Sequence, residues 1–285
     1  MGPAVRAEPG ALDDPAGTDV VVLAVAADEH RMLAERALDS GQHVVSVGDS
    51  MSDIRHLLEL DGEAETKNLS VVCGAALSPG LTCLLARHAA DRFDRVEEIH
   101  VAQHGTGGPA CARHHHKAMQ GDALDWRDGA WRSRRGRTGR ELVWFPDPVG
   151  GQDCYRAALP GARLLAPYFQ GVDRVTVRVS ATRRDRLTAL LPMMRRPHHD
   201  GGPGAVHVEV RGRRGSETGV AVYGAMDHPS VAAATVAATA VRWIVAGRVP
   251  AGAHGLAVLD DSAAFLAELA RRGVKAAVFE GSADA

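Results

Sequence analysis

The chain has 285 residues, of which 45% are hydrophobic and 24% are charged, an ordinary composition for a globular protein of two domains or one large domain. This composition excludes a disordered chain, a collagen and a coiled coil. With 33 Lys and Arg residues against 35 Asp and Glu residues the formal net charge is -2, so the chain as a whole attracts neither nucleic acid nor an anionic membrane.

The first part of the chain alternates apolar runs with segments of helical spacing. Valine-rich runs lie at 20–25, 43–47 and 69–75, and a helical pattern follows each of them. Continuous apolar runs are typical of strands buried on both faces, so the pattern predicts a parallel sheet with right-handed crossovers. The alternative is three buried helical hairpins, which would place β-branched residues in helices although they pack better in strands.

After Arg95 the apolar pattern changes to a period of two. Several segments alternate apolar and polar residues, and turn-like joins occur at 128–129 and 215–217. This alternation predicts an open antiparallel sheet with one face in water. Short helices are predicted around 152–159 and 185–194. From Pro229 onward two helical patterns return, each followed by a glycine.

The cysteines, the first residues and the apolar tracts bear on the compartment. The chain contains four cysteines, Cys73, Cys83, Cys111 and Cys154. Their spacings match neither a small disulfide framework nor a metal knuckle, so a reducing cytoplasm is predicted. Residues 1–19 hold proline, glycine and acids where a secretory signal has a basic start and an apolar stretch. The longest apolar tract, 231–246, is shorter than the ~20 residues of a membrane span, so no membrane association is predicted.

Four segments together resemble the saccharopine-dehydrogenase-like branch of the NAD(P)-dependent oxidoreductases. They are TDVVVLAVAADEH, GQHVVSVGDS, VVCGAALSPGL and ATVAATAVRWIVAGRVPAGAHGL. The third is similar to the loop that lies beside the nicotinamide in that family. The resemblance implies a Rossmann fold, NAD or NADP as cofactor, a small amino-acid-like or carbonyl substrate, and a homodimer formed through the second sheet.

The predicted fold class is α/β, with an incomplete Rossmann-type parallel sheet and an α+β domain that contains an open antiparallel sheet. Residues 1–97, together with the returning segment 227–285, are predicted to form a Rossmann-like nucleotide-binding domain truncated at its start. Residues 98–226 are predicted to form the domain for substrate binding and dimerisation.

The chain departs from the family at the phosphate-binding loop. A G-x-G-x-x-G turn lets backbone amides approach the pyrophosphate, and no such pattern precedes Asp19. Either the sequence begins after the first βαβ unit or the protein has lost its cofactor, and in both cases weak or absent dinucleotide binding is expected. The alternative function is a non-catalytic interaction or scaffold protein that keeps the dehydrogenase fold. The glycines at 105–108 are predicted to form a mobile linker or substrate loop rather than a displaced phosphate loop.

Residues that follow parallel strands are the candidates for cofactor binding, because the carboxyl ends of such strands point at the ligand. They are Ala26 and His30 after the first run, Gly48 and Asp49 after the second, and Gly74, Ala75, Pro79 and Gly80 after the third. For the neighbouring Asp28 and Ser50, capping of the following helices is an alternative role.

The run Arg113 to Lys117 contains three consecutive histidines and supplies the first catalytic candidates. His116 is suited to relay a proton to a substrate carbonyl, and Lys117 is suited to hold a carboxylate. The alternative is a solvated basic surface loop. No metal site is predicted, because consecutive residues point in different directions on a helix or a strand.

A second cluster, at 144–159, combines aromatic residues, prolines and glycines. Asp153 and Tyr155 are catalytic candidates there, and the alternative places Asp153 near a helix start and Tyr155 in the core. The arginines at 183, 184 and 186 form either a site for an anion or a solvated face.

Overall fold

The computed structural model describes residues 17–25, 27–193 and 196–279. The first elements are β1 (Val20–Leu23), α1 (His30–Asp39), β2 (His43–Ser46), α2 (Met51–Leu58), α3 (Asp61–Thr66), β3 (Ser70–Val72) and α4 (Thr82–Ala90). There follow β4 (Arg95–His104), α5 (Pro109–Ala118), β5 (Ala123–Arg127), β6 (Ala130–Arg134), β7 (Glu141–Phe145) and β8 (Gly150–Arg156). The remaining elements are α6 (Gly161–Leu165), β9 (Arg174–Ser180), α7 (Arg183–Thr188), β10 (Gly204–Arg214), β11 (Glu217–Asp227), α8 (Pro229–Val245), β12 (Gly252–His254), α9 (Ser262–Arg271) and β13 (Lys275–Phe279).

The valine-rich runs form a parallel sheet, as predicted. Its strands lie in the order β1-β2-β3-β12, and every pair in it is parallel. Val44, Val45, Val71 and Val72 are fully buried in the hydrophobic core, which is the environment that favours β-branched residues in a sheet covered on both faces. The sequence did not predict β12, because its three residues are too few to show a strand pattern.

The second sheet is mixed, and the prediction of an antiparallel sheet was wrong in this respect. Its main path is β13-β11-β10-β4-β9-β5-β6, and β8 joins the hairpin β7-β8 to β9. Most neighbours are antiparallel, but β4 and β9 run parallel along 98–103 and 174–179. Both strands alternate apolar and polar residues, and this pattern does not encode strand direction. The long connection between them allows the chain to return in the same direction.

The predicted hairpin turns are confirmed, whereas one predicted helix is not. Asp128 and Gly129 both have positive φ and connect β5 to β6, as a tight hairpin requires. The segment at 152–159, predicted to be helical, lies largely in strand β8. The turn at Pro146–Val149 directs it back along β7, so pairing rather than local propensity decides its conformation. The helix predicted at 185–194 is α7, which ends at Thr188.

The last helices pack on the parallel sheet and its covering helix. Helix α8 contacts β1 and β2, and α9 contacts α4 and α8. Strand β13 then pairs with β11 in the second sheet. The domain boundaries at 97 and 227 stay predictions. Among the helices in the described part of the chain, none is long and apolar enough to cross a membrane.

The loop after β3 depends on a glycine. Gly74 has φ +72°, and a Cβ at this position would lie 2.5 Å from Cγ of Pro79. We expect Gly74→Ala to lower the free energy of unfolding by about 2 kcal/mol, because the new methyl group meets both a left-handed backbone and a packed ring. Urea denaturation measures this effect.

The control is Gly62→Ala in α3, where a Cβ would meet nothing within 4 Å. This change should stabilise the protein by about 0.5–1 kcal/mol, since alanine restricts the unfolded chain more than glycine does. Equal stability of the two variants would contradict the packing described for the loop.

Candidate functional site

A cavity of about 400 Å³ lies where the carboxyl ends of β2 and β3 meet the end of β4. It is lined by Val47, Asp49, Ala76, Leu77, Ser78, Gln103, His104, Gly105, Gly107, Gly108, Pro109, Ala110, Cys111, His115, His199, Pro229, Ser230 and Ala233. The residues after β2 and β3 come from the parallel sheet, and most of the others come from β4, α5 and α8. The cavity is therefore bounded by both sheets.

Two helices begin at this cavity. Helix α5 begins after Gly108 and α8 after His228, and neither helix start has a side-chain cap. Pro109, Ala110 and Cys111 of α5 and Pro229 and Ser230 of α8 line the cavity. The N-terminus of a helix carries a positive partial charge and free backbone N–H groups. The cavity consequently offers a favourable environment for an anion.

The turn between β4 and α5 is rich in glycine. Gly105 has positive φ, and a Cβ there would collide with the carbonyl oxygen of Pro203. Gly105, Gly107 and Gly108 all line the cavity, so the turn brings backbone to its surface. A role of these glycines in substrate binding, which the sequence suggested, stays a prediction.

A polar cluster centres on Nε2 of His115. This atom lies 3.3 Å from Oδ2 of Asp49, 3.8 Å from Sγ of Cys111 and 3.2 Å from Nε2 of Gln103. Nε2 of His114 lies 3.7 Å from the other carboxylate oxygen of Asp49. Only 12% of the His115 side chain and 26% of the Asp49 side chain are exposed, so these groups interact with little screening by water.

The pKa values of this cluster follow from its contacts. Burial by itself would lower the pKa of His115, but hydrogen bonds to Asp49 and Cys111 outweigh it and raise the pKa to about 10. Burial would raise the pKa of Asp49, yet the hydrogen bond and charge of His115, with the charge of His114, lower it. Elsewhere on the cavity, burial lowers the pKa of His104, whose Nδ1 lies 2.8 Å from Oγ of Ser180.

Of the predicted cofactor residues, Asp49 lines the cavity and His30 does not. His30 is 1% exposed. Oγ of Ser46 lies 2.9 Å from its Nδ1, and its Nε2 lies 3.3 Å from the carbonyl oxygen of Val25. The backbone N–H of Gly48 donates to the same serine oxygen at 3.1 Å. His30 thus joins the segments that follow β1 and β2, and Gly48 packs against its ring.

Some residues of the loop after β3 line the cavity, and others are buried behind them. Gly74, Ala75, Pro79 and Gly80, which the sequence proposed as cofactor contacts, are buried and do not line the cavity. Their neighbours at 76–78 line it instead. The predicted loop is therefore at the cavity, and its glycines shape the turn. The predicted contact Ala26 lies outside the described residues.

The alternative role as a helix cap is confirmed for Ser50 and not for Asp28. Oγ of Ser50 accepts a hydrogen bond from the backbone N–H of Asp53 at the start of α2. Helix α1 begins after Glu29 without a side-chain cap. The backbone N–H of Asp28 donates to Oδ1 of Asp53 at 2.9 Å.

None of the predicted catalytic residues lines the cavity. His116 contacts the carbonyl oxygen of Leu191, and Lys117 is exposed. Asp153 pairs with Arg140 at 2.9 Å. Tyr155 is 1% exposed and belongs to the hydrophobic core. The structure does not bring these four together, and their catalytic role stays a prediction.

Sequence reasoning missed Cys111 and Gln103, and within the run Arg113 to Lys117 it selected His116 rather than His115. Cys111 and His115 are four residues apart on α5 and share one face of the helix. This C-x-x-x-H spacing was the available signal, but the adjacent histidines concealed it. Asp49 was proposed as a cofactor contact, and only the fold shows that it faces this pair.

No protein-family model matches the sequence. The structure is similar to saccharopine dehydrogenase (L-Glu forming) from Saccharomyces cerevisiae, with a TM-score of 0.66 and 12% identity over 95% of this chain and 87% of that chain. The chain has a saccharopine-dehydrogenase-like fold. DAP dehydrogenase from C. glutamicum, in complex with DAP, matches at a TM-score of 0.46 and 17% identity over 96% of this chain and 89% of that chain.

The similarity to the yeast enzyme confirms the predicted resemblance at the level of the fold. The parallel sheet with its covering helices, joined to a separate mixed sheet, is a Rossmann-type dehydrogenase architecture. Because the identity to the yeast enzyme is 12%, the match concerns the architecture, and the activity has to be argued from the residues of the cavity.

Substitution of His30 tests whether this buried histidine stabilises the fold or binds a ligand. We expect His30→Ala to lower the free energy of unfolding by about 2–4 kcal/mol, because it removes a buried ring and its hydrogen bonds. Chemical denaturation of the ligand-free protein measures the change.

Met32→Ala is the control on the same helix, since Met32 is 49% exposed. This variant should stay within about 0.5 kcal/mol of the original protein. If His30→Ala were equally stable without ligand, the structural role of His30 would be refuted.

Proposed function

We propose that this protein is an NAD(P)-dependent oxidoreductase that acts on a small amino-acid-like or carbonyl substrate bearing a carboxylate. The observation that carries the proposal is the cavity, which joins the carboxyl edge of the parallel sheet to two helix N-termini and a buried polar cluster. In folds of this type, the carboxyl edge of the parallel sheet is where nucleotides bind.

The residues after β2 and β3 fit a nicotinamide ring. Val47, Ala76 and Leu77 give the cavity an apolar surface at the strand ends, and Ala76 and Leu77 are themselves buried and fixed by the loop. These residues would contact the ring and exclude water from it. When bound, a nicotinamide supplies the hydride acceptor or donor. The weak dinucleotide binding expected from the sequence remains a prediction.

The helix N-termini support a substrate with a carboxylate. The first turns of α5 and α8 both reach the cavity, and the glycine turn before α5 exposes backbone. Hydrogen bonds from backbone N–H groups to an anion contribute about 1.5–3 kcal/mol each. A carboxylate held there would leave the neighbouring carbonyl or amino carbon inside the cavity.

The side chains of Gln103 and His115 would orient the reacting group. Both line the cavity, and their Nε2 atoms are 3.2 Å apart. Gln103 is 5% exposed, so its rotamer is fixed by packing, as a binding group requires. A few fixed polar groups in an otherwise apolar cavity are the usual means of orienting a small substrate.

The activity assay follows the near-ultraviolet absorbance of NADH or NADPH at millimolar cofactor concentration. In the reductive direction the substrates are a panel of 2-oxo acids, each with and without ammonia. In the oxidative direction they are amino acids with NAD or NADP. We expect turnover with at least one carboxylate-bearing substrate and none with the corresponding simple aldehydes or ketones, because the latter lack the anion that the helix N-termini attract.

A matched pair on α8 locates the reaction. Ala233 lines the cavity, whereas its exposed neighbour Ala234 does not. Ala233→Trp should lower kcat/KM by about tenfold or more, a loss of roughly 1.4 kcal/mol, because the indole occupies the substrate volume. Ala234→Trp should leave it within about twofold.

The absence of turnover with both cofactors across the whole panel would contradict the proposal and favour a non-catalytic protein. Equal activity of the two tryptophan variants would show that the reaction takes place elsewhere.

A further inference from the structure

In the part of the chain that the structure describes, two groups of three side chains are of types that can bind a metal ion and lie close enough together to do so. One consists of Asp49, Cys111 and His115, whose ligand atoms all lie within 4.8 Å of one another. The other, His198–Asp200, is exposed and consists of consecutive residues. Only the first group combines separate elements, α5 and the loop after β2, and has all three members on the cavity wall.

The spacing of the first group is that of ligands around one small cation. Tetrahedral zinc with bonds of about 2.0–2.3 Å separates its ligand atoms by about 3.3–3.6 Å. Here Nε2 of His115 lies 3.3 Å from Oδ2 of Asp49 and 3.8 Å from Sγ of Cys111. The third pair, Asp49 and Cys111, lies within 4.8 Å, so the ligand atoms need to approach one another by no more than roughly 1 Å to surround one zinc ion.

Hydrogen bonding alone does not account for this arrangement. An imidazole Nε2 has either one hydrogen to donate or one lone pair to offer. Asp49, Cys111 and Gln103 all have a polar atom within 3.8 Å of that nitrogen, so at most one of them receives a well-directed hydrogen bond from it. A cation bound by the carboxylate of Asp49, the thiolate of Cys111 and the Nε2 lone pair of His115 satisfies these three ligands together.

The surroundings also suit a metal ligand set. Nε2 of His114 is buried without a hydrogen-bond partner and lies 3.7 Å from Oδ1 of Asp49. It is placed to hold the carboxylate oxygen that faces away from the ion. Residues that orient a ligand in this way commonly surround metal sites.

We propose that Asp49, Cys111 and His115 bind one zinc ion with a fourth coordination position open to the cavity. A thiolate and an imidazole select zinc over magnesium or calcium, and three protein ligands with one open position are typical of catalytic zinc. The further role of this position, to receive the carbonyl oxygen of a substrate, rests on the proposed function. The sequence predicted no metal site because the three histidines of α5 diverge, and in the structure only His115 belongs to this set.

The test measures metal binding without cofactor or substrate. The full chain is stripped with a chelator under reducing conditions and titrated with zinc by calorimetry. Titration with cobalt(II) is followed by absorbance, because cobalt bound to a thiolate gives a charge-transfer band. We expect one zinc ion per chain, with micromolar or tighter affinity, and this cobalt band.

Three variants assign the ligands. Cys111→Ser and His115→Asn should each weaken zinc binding by about 100-fold or more, since even residues around a ligand contribute 10–100-fold. Cys111→His keeps a metal ligand, so it should retain zinc binding but lose the cobalt band. His198→Asn, in the exposed group, is the control and should bind zinc as the original chain does. Circular dichroism confirms that each variant is folded.

The inference is overturned if the stripped chain binds no zinc, if folded Cys111→Ser binds zinc as tightly as the original, or if His198→Asn abolishes binding. These outcomes are distinct from failure of the proposed function. Zinc binding with no turnover would refute the oxidoreductase proposal alone, and turnover that persists without zinc in the stripped chain, with no zinc binding, would refute the metal site alone.

Discussion

The two sheets approach each other at the cavity, where Leu77 and Pro229 lie against Gly204. Gly204 is the first residue of β10, and a Cβ there would lie 2.9 Å from Cδ2 of Leu77 and would collide with the ring of Pro229. Leu77 comes from the loop after β3, and Pro229 begins α8. Because glycine permits this close approach, the wall of the cavity is continuous from the parallel sheet to the second sheet.

Charge within the cavity is arranged around that wall. The N-termini of α5 and α8 provide positive partial charge, and Asp49 provides the negative charge that His115 faces. An anionic ligand is therefore attracted to the helix starts and repelled by the carboxylate. The pairing of Asp49 with His115 matters because unpaired charge is costly in a largely apolar cavity.

Several features of the fold follow from local patterns, and others do not. The valine runs identified β1, β2 and β3, since burial on both faces leaves few alternatives for β-branched residues. The segment at 152–159 was predicted to be helical, but pairing of β8 with β7 and β9 overrides local preference in most of it. The direction of β9 relative to β4 was also hidden, because parallel and antiparallel strands can share one alternation of side chains.

The sequence by itself determined the parallel sheet, the change to alternating strands after Arg95, the resemblance to a dehydrogenase fold and the position of the loops that reach the cavity, because these depend on periodicity and on glycine and proline. Only the tertiary structure decided which polar residues meet. In the run at 114–117 neighbouring side chains are chemically similar but about 100° apart around the helix. The position of α5 beside Asp49, in the loop after β2, therefore selected His115 for the cavity and turned His116 toward Leu191.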